Sequence, residues 1–253
     1  MRSVLNIVWL YPDVLNLHGD RGNVMALMRV CEQSDIKANL TRVEHLGDDF
    51  SLDDADIVVV GPGELASMPT VAGVLATRRQ QFDEYVESGR TMLVVGTSAA
   101  LVARETKLTD APGFAGLALI DAEVTERAEI YGDDLIVRAD GEELAGIQVR
   151  LTDLRLGSAD GFGEVLYGIG NDPSVPQLEG ARRGNLIVTN LLGPMLAVNP
   201  WYAWRLIDQA MRLKGGAAQP VDDEQWVWER RGAAANRAFV AGKTLPPGAV
   251  RSL

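Results

Sequence analysis

The sequence predicts an α/β fold: a mostly parallel sheet flanked by helices, with antiparallel strands at its edge. Three observations carry that expectation. Short apolar runs rich in β-branched residues, Val4–Leu10, 56–60 and Thr91–Val95, have the pattern of strands buried on both faces, as in parallel sheets. Turn residues and helical stripes alternate with these runs, which gives the strand–helix–strand order of right-handed crossovers. After Leu108 the pattern changes to short alternating segments, the period of half-buried antiparallel strands.

Taken in order, Val4–Leu10 is the first strand. Residues 11–23 then carry Gly and Asn at turn positions and lead into a helix with Val24, Leu27, Met28 and Cys31 on one face. Cys31 reads as a small core residue, and Asp20 and Asn23 stand where helix N-caps belong. Strands at 39–44 and 56–60 follow. The latter ends in Gly61-Pro62-Gly63-Glu64. A Gly-rich turn at the carboxyl end of a parallel strand is where ligands meet backbone N–H groups, although Pro62 removes one of them. Residues 71–88 read as one helix stopped by Gly89, which delivers the chain to a central strand, Thr91–Val95.

Beyond it, segments 122–126, 135–139, 147–151 and 164–168 read as mostly antiparallel strands at the sheet edge. Residues 185–190 form another buried strand, followed by Leu191-Leu192-Gly193-Pro194 and a helix over 201–213. The expected organisation is a domain over 1–214, a Gly- and Ala-rich linker over 215–220, and a helical or flexible tail over 221–253. Trp226 and Trp228 in that tail are expected to dock on the domain or on a partner.

Composition narrows the function. The chain has 253 residues, 47% of them apolar and 23% charged, as in ordinary globular proteins. Its net charge of −11 argues against nucleic acid or an anionic membrane as partner, since both are bound through clustered Lys and Arg. No apolar run approaches the ~20 residues that span a bilayer. The stretch Met1-Arg2-Ser3-Val4-Leu5-Asn6 enters a strand without signal-peptide layout. One cysteine and two histidines leave no intrachain disulfide and too few ligands for a structural zinc, so a cytoplasmic protein without metal or cofactor is expected.

The central strand runs straight into Gly96-Thr97-Ser98-Ala99-Ala100, small residues that open a helix. A strand turning sharply into a helix is the geometry of a nucleophile elbow, which holds one side chain above helix N–H groups. The tip calls for Ser or Cys. This sequence has Gly96 there.

Residues 11–23, the elbow, Pro112-Gly113-Phe114-Ala115-Gly116-Leu117, Gly168-Ile169-Gly170-Asn171 and residues 184–200 together resemble the CobB/CobQ-type class I glutamine amidotransferases. Within that family the likeness is greatest to glutaminase subunits that work with a Mur-ligase-like protein in peptidoglycan-precursor chemistry. The resemblance covers roughly residues 4 to 213 and implies a flavodoxin-like fold. It places Gly96 at the family's nucleophilic cysteine and Leu192 at its base histidine, and it retains the triad aspartate as Asp20. It also puts Gly61-Pro62-Gly63 at the family's Gly-Gly-Gly oxyanion turn, and 146–150 at its Gly-Phe-Glu-Asn-His segment, with Arg150 at the last position. The implied reading is a catalytically degenerate subunit whose vestigial cleft is lined by Gly61, Gly63, Gly96, Thr97, Ser98, Arg150 and Leu192. It would bind or regulate a Mur-ligase-like partner.

Two other readings attach to the same residues. Gly96-Thr97-Ser98-Ala99-Ala100 resembles the G-x-S-x-G of serine hydrolases. Making Ser98 the nucleophile shifts the strand by two residues and requires His18 or His45 as base, so Thr97 or Ser98 capping the next helix is the favoured account. Alternatively, the cleft binds a small molecule, with Leu192 and Ala99 making it apolar and Arg150 meeting an anion.

Overall fold

The computed structural model describes residues 3–253; Met1 and Arg2 lie outside the described residues. The elements in chain order are β1 (Val4–Leu10), α1 (Arg21–Gln33), β2 (Lys37–Val43), β3 (Ile57–Val60), α2 (Met68–Ala76), α3 (Arg79–Glu87), β4 (Thr91–Val95) and α4 (Ala99–Val102). Then come β5 (Glu105–Lys107), β6 (Phe114–Ala115), β7 (Ala122–Ala139), β8 (Glu142–Leu156), β9 (Gly163–Gly168), β10 (Leu178–Glu179), β11 (Ala181–Arg183) and β12 (Leu186–Thr189). The chain closes with α5 (Met195–Val198), α6 (Pro200–Leu213), α7 (Val227–Ala241) and β13 (Val250–Arg251).

Six strands form one sheet in the order β11-β12-β4-β3-β1-β2. Its pairings are parallel except for β11 on β12. The parallel strands follow the doubly wound order of flavodoxin-like folds, with the switch point between β1 and β3. β3 and β4 are buried along their whole length, because helices cover both faces of a parallel sheet. One face packs on α1 and α6 through Leu27, Val30, Cys31, Leu206 and Ile207; the other packs on α2 and α3 through Val71, Leu75, Phe82 and Tyr85.

The alternating segments are antiparallel, but they do not lie at the edge of this sheet. They build a second sheet of seven strands around the long β7–β8 hairpin. Alternation fixes which face a strand buries and leaves open which sheet it joins. The edge strands of the first sheet are β2 and β11, and only β11 is antiparallel, ending the parallel ladder at β12.

The helix expected over 71–88 is two helices. Arg78 breaks from helical geometry between α2 and α3, and its guanidinium reaches back to the Phe50 carbonyl and the Asp49 carboxylate. The segment 215–220 lies back along α6: Ala218 N–H donates to Asp208 at 3.0 Å, and the Trp204 indole donates to the Gln219 carbonyl at 2.9 Å. Past it, Trp226 is buried in the core and β13 adds to β9. No helix among the described residues is long and apolar enough to cross a membrane.

Candidate functional site

Asp20, Gly61, Gly96 and Leu192 each follow the carboxyl end of a parallel strand, namely β1, β3, β4 and β12. These four strands are neighbours in the sheet, so their turns converge on the crevice where doubly wound folds bind ligands.

Val95 is extended, and Gly96 then takes φ 59 before a tight 3-10 turn feeds α4. That left-handed conformation strains a residue with a side chain by about 1–3 kcal/mol, and glycine adopts it freely. A strand, a positive-φ residue and a helix in succession make the elbow. Its surroundings are hydrocarbon. A Cβ on Gly96 would lie 3.1 Å from Pro62 Cβ and 3.2 Å from Leu192 Cδ2. Leu192 is held there because it exchanges backbone hydrogen bonds with Ile147 of β8, at 2.8 and 3.2 Å. Gly61, Pro62, Gly63 and Leu192 are all buried, so the crevice is closed over the elbow.

Thr97 and Ser98 do not cap α4. The Thr97 hydroxyl donates to the Gly63 carbonyl at 2.6 Å and accepts from its N–H at 3.1 Å, and Ser98 Oγ donates to the Gly61 carbonyl at 2.6 Å. Buried backbone groups in the 61–63 turn need partners, and these two hydroxyls supply them across 34 and 37 residues of chain. The Ser98 proton is therefore committed to a carbonyl. No histidine reaches it: His18 is exposed, and His45 stands 3.7 Å from Asp13 at the surface. The arrangement does not make Ser98 a nucleophile.

Asp20 precedes α1 but makes no cap bond. Its Oδ1 accepts from Asn23 Nδ2 at 2.8 Å, while its Oδ2 is buried without a partner, directly against Gly61. Burial pushes this carboxyl up to about 7, against the opposing pull of the Asn23 bond. Asn23, also expected as a cap, accepts from the Leu196 N–H at 2.8 Å and so ties α1 to α5, just past Leu192.

Arg150 is not brought to the crevice. Its guanidinium is buried against the Gly170 and Asn171 carbonyls and the Asp153 carboxylate. Its position on β8 directs the side chain into the second sheet's loops, where those carbonyls need donors, so it is not free to meet an anion over Gly96. One residue that sequence reasoning passed over belongs to the site's frame. Glu179 is buried, with Thr189 Oγ1 donating to it at 3.0 Å and Asn190 N–H at 2.6 Å, and so it fixes the turn that presents Leu192. Burial pushes its carboxyl up to about 7. A lone glutamate before Gly180 gives no sequence signal of this role. A surface groove of about 620 Å³ lies elsewhere, lined by Asn185, Trp204 and Arg205 at the amino-terminal start of β12.

No protein-family model matches the chain. A solved structure described as a glutamine amidotransferase superposes with a TM-score of 0.52 at 15% identity, over 80% of this chain and 98% of that one. The fold is that of the class I glutamine amidotransferases. Within that class the chain resembles GatD. It is 25% identical to the Streptococcus pneumoniae lipid II isoglutaminyl synthase (glutamine-hydrolyzing) subunit GatD over 221 residues, 84% of this chain and 82% of the relative. It is also 25% identical to the Staphylococcus aureus subunit of the same name over 228 residues, 87% of this chain and 90% of the relative.

Proposed function

We propose that this chain is a GatD-like subunit that does not hydrolyse glutamine. In this reading it serves in the cytoplasm as a binding or regulatory partner of a Mur-ligase-like, MurT-like protein in peptidoglycan-precursor modification. The observation that carries the reading is the elbow itself: Gly96 at φ 59, with Pro62 and Leu192 carbons filling the place of a side chain. Amide hydrolysis by this class of site needs a thiolate and a base to take its proton. Glycine offers no nucleophile and leucine no proton acceptor. Pro62 also lacks the N–H that an oxyanion turn would use. The unpartnered Asp20 Oδ2 supports the same reading, since a carboxylate that once oriented an imidazole is left with one oxygen free when leucine replaces it. Glutamate release from glutamine, measured on the purified chain with and without the Mur-ligase-like protein, tests the chemistry. The expected result is none in either case. Turnover would overturn the reading, and failure of the two proteins to co-purify would overturn its partner half.

A further inference from the structure

The tail helix α7 buries only Val240 completely and leaves large aromatics in solvent. Its inward side holds the body through polar contacts: Asn236 Nδ2 to Asp134 at 2.8 Å, Arg237 to Glu143, and Arg230 near Glu142 at 3.6 Å. A cavity of about 220 Å³ remains beneath it, between Trp201 and Ala233. Its outward side carries Trp228, Arg231, Ala235 and Phe239, spaced by three and four residues and hence on one face. Trp228 is 72% exposed and Phe239 62%. Large aromatics are normally the buried side of a surface helix, and Trp228 and Phe239, the latter flanked by Lys243 Nζ at 5.1 Å, are left exposed on one face, as interaction surfaces leave them. Arg231 stacks over the Trp228 ring at 5.0 Å and has no carboxylate partner among the described residues.

We propose that this face of α7 is the surface that docks into an apolar groove, with a carboxylate at its rim, on the partner protein. The inference rests on the Mur-ligase-like partner proposed above and adds where that partner binds. Charge complementarity selects the occupant. A twofold pairing of this face with a second copy would join the two stripes but leave both Arg231 guanidiniums without an acid, because Glu229, the helix's only carboxylate, already pairs with Arg29 at 3.0 Å. A chain of net charge −11 is also repelled by an anionic lipid surface. Trp and Arg set side by side are the residue types that dominate binding energy at protein interfaces.

The test uses the full chain and the Mur-ligase-like protein of the same genome, with affinity measured for the unmodified chain, Trp228→Asp, Phe239→Asp and Arg231→Glu. All three side chains are exposed, so the variants keep the thermal midpoint of the parent, and Trp228→Ala provides a milder check. The expected result is binding by the parent and a loss of roughly 30-fold or more for Trp228→Asp, with smaller losses at the other two positions. Parent-like binding by all the variants overturns the docking face and leaves the proposed partner standing. No binding by the parent removes both. Dimerisation of the chain alone, or sedimentation with phosphatidylglycerol vesicles, overturns the assignment of the occupant if Trp228→Asp abolishes it.

Discussion

Ser98 Oγ donates a 2.6 Å hydrogen bond to the carbonyl of Gly61, joining the elbow to the turn after β3. A serine in this place could be taken for a nucleophile, yet its hydroxyl has a structural duty. Ser98→Ala leaves the Gly61 carbonyl buried without that donor, which costs about 1–3 kcal/mol. Chemical denaturation should show that loss, while any hydrolytic activity measured on esters or amides stays at background in both proteins. A rate that depends on Ser98 would reinstate the hydrolase reading.

Gly96 is constrained by conformation and by space. Gly96→Ala is expected to lose about 1–3 kcal/mol from the positive φ, together with crowding from Pro62 and Leu192 at 3.1 and 3.2 Å. A stability at or above the parent's would show that the neighbours retreat freely.

Under the proposed reading, placing a thiol and an imidazole at the elbow is not expected to supply glutamine hydrolysis. The double variant Gly96→Cys with Leu192→His still has Pro62 in the turn, with no N–H to offer an oxyanion. Glutamate release should remain undetectable and should rise only when Pro62→Gly is added. Equal rates with and without the proline change would remove Pro62 from the account.

Burial pushes the carboxyls of Asp20 and Glu179 up to about 7. Each ordinarily titrates near 4 in an unfolded chain. Between those values the folded state holds more protons than the unfolded one, so stability falls as pH rises. The contribution is full below about pH 4 and is lost as pH passes about 7. Urea midpoints should therefore be lower at pH 8 than at pH 5, and Asp20→Asn should flatten that slope. An unchanged slope in Asp20→Asn would dissociate it from this carboxyl.

Arg150→Ala tests a structural assignment. It removes donors from the Gly170 and Asn171 carbonyls and leaves Asp153 with one cation fewer. Asp153 keeps Arg127 at 2.6 Å, so the expected loss is that of the buried carbonyls left without donors, about 1–3 kcal/mol each. A nearly neutral effect would mean that the guanidinium is dispensable to the loops around it.

The four parallel strands that carry the site were legible because each is a short, mostly apolar run, while the cleft formed by the turns that follow them was implied only by the family resemblance. What sequence could not provide were partners distant along the chain. Asn23, Thr97 and Ser98 stand at places where local capping is the ordinary role, and in the fold their bonds go to Leu196, Gly63 and Gly61 instead. The β7–β8 hairpin was visible only as alternation, which does not say that a separate sheet would form. The break at Arg78 falls within a continuing helical stripe, and the contacts Arg78 makes, to Asp49 and Phe50, lie in a loop. Arg150, which the resemblance sets at the end of the Gly-Phe-Glu-Asn-His segment, points away from the crevice, because the carbonyls that take its donors are twenty residues further along the chain.

Cys31 is the chain's single cysteine, fully buried on α1 with its thiol pushed up to about 12. Alkylating reagents act on exposed thiolate, so the native fold is chemically silent toward maleimides. A cysteine installed at any surface position would therefore accept a fluorophore at one defined place. The slow labelling of Cys31 itself would clock how often the whole molecule opens.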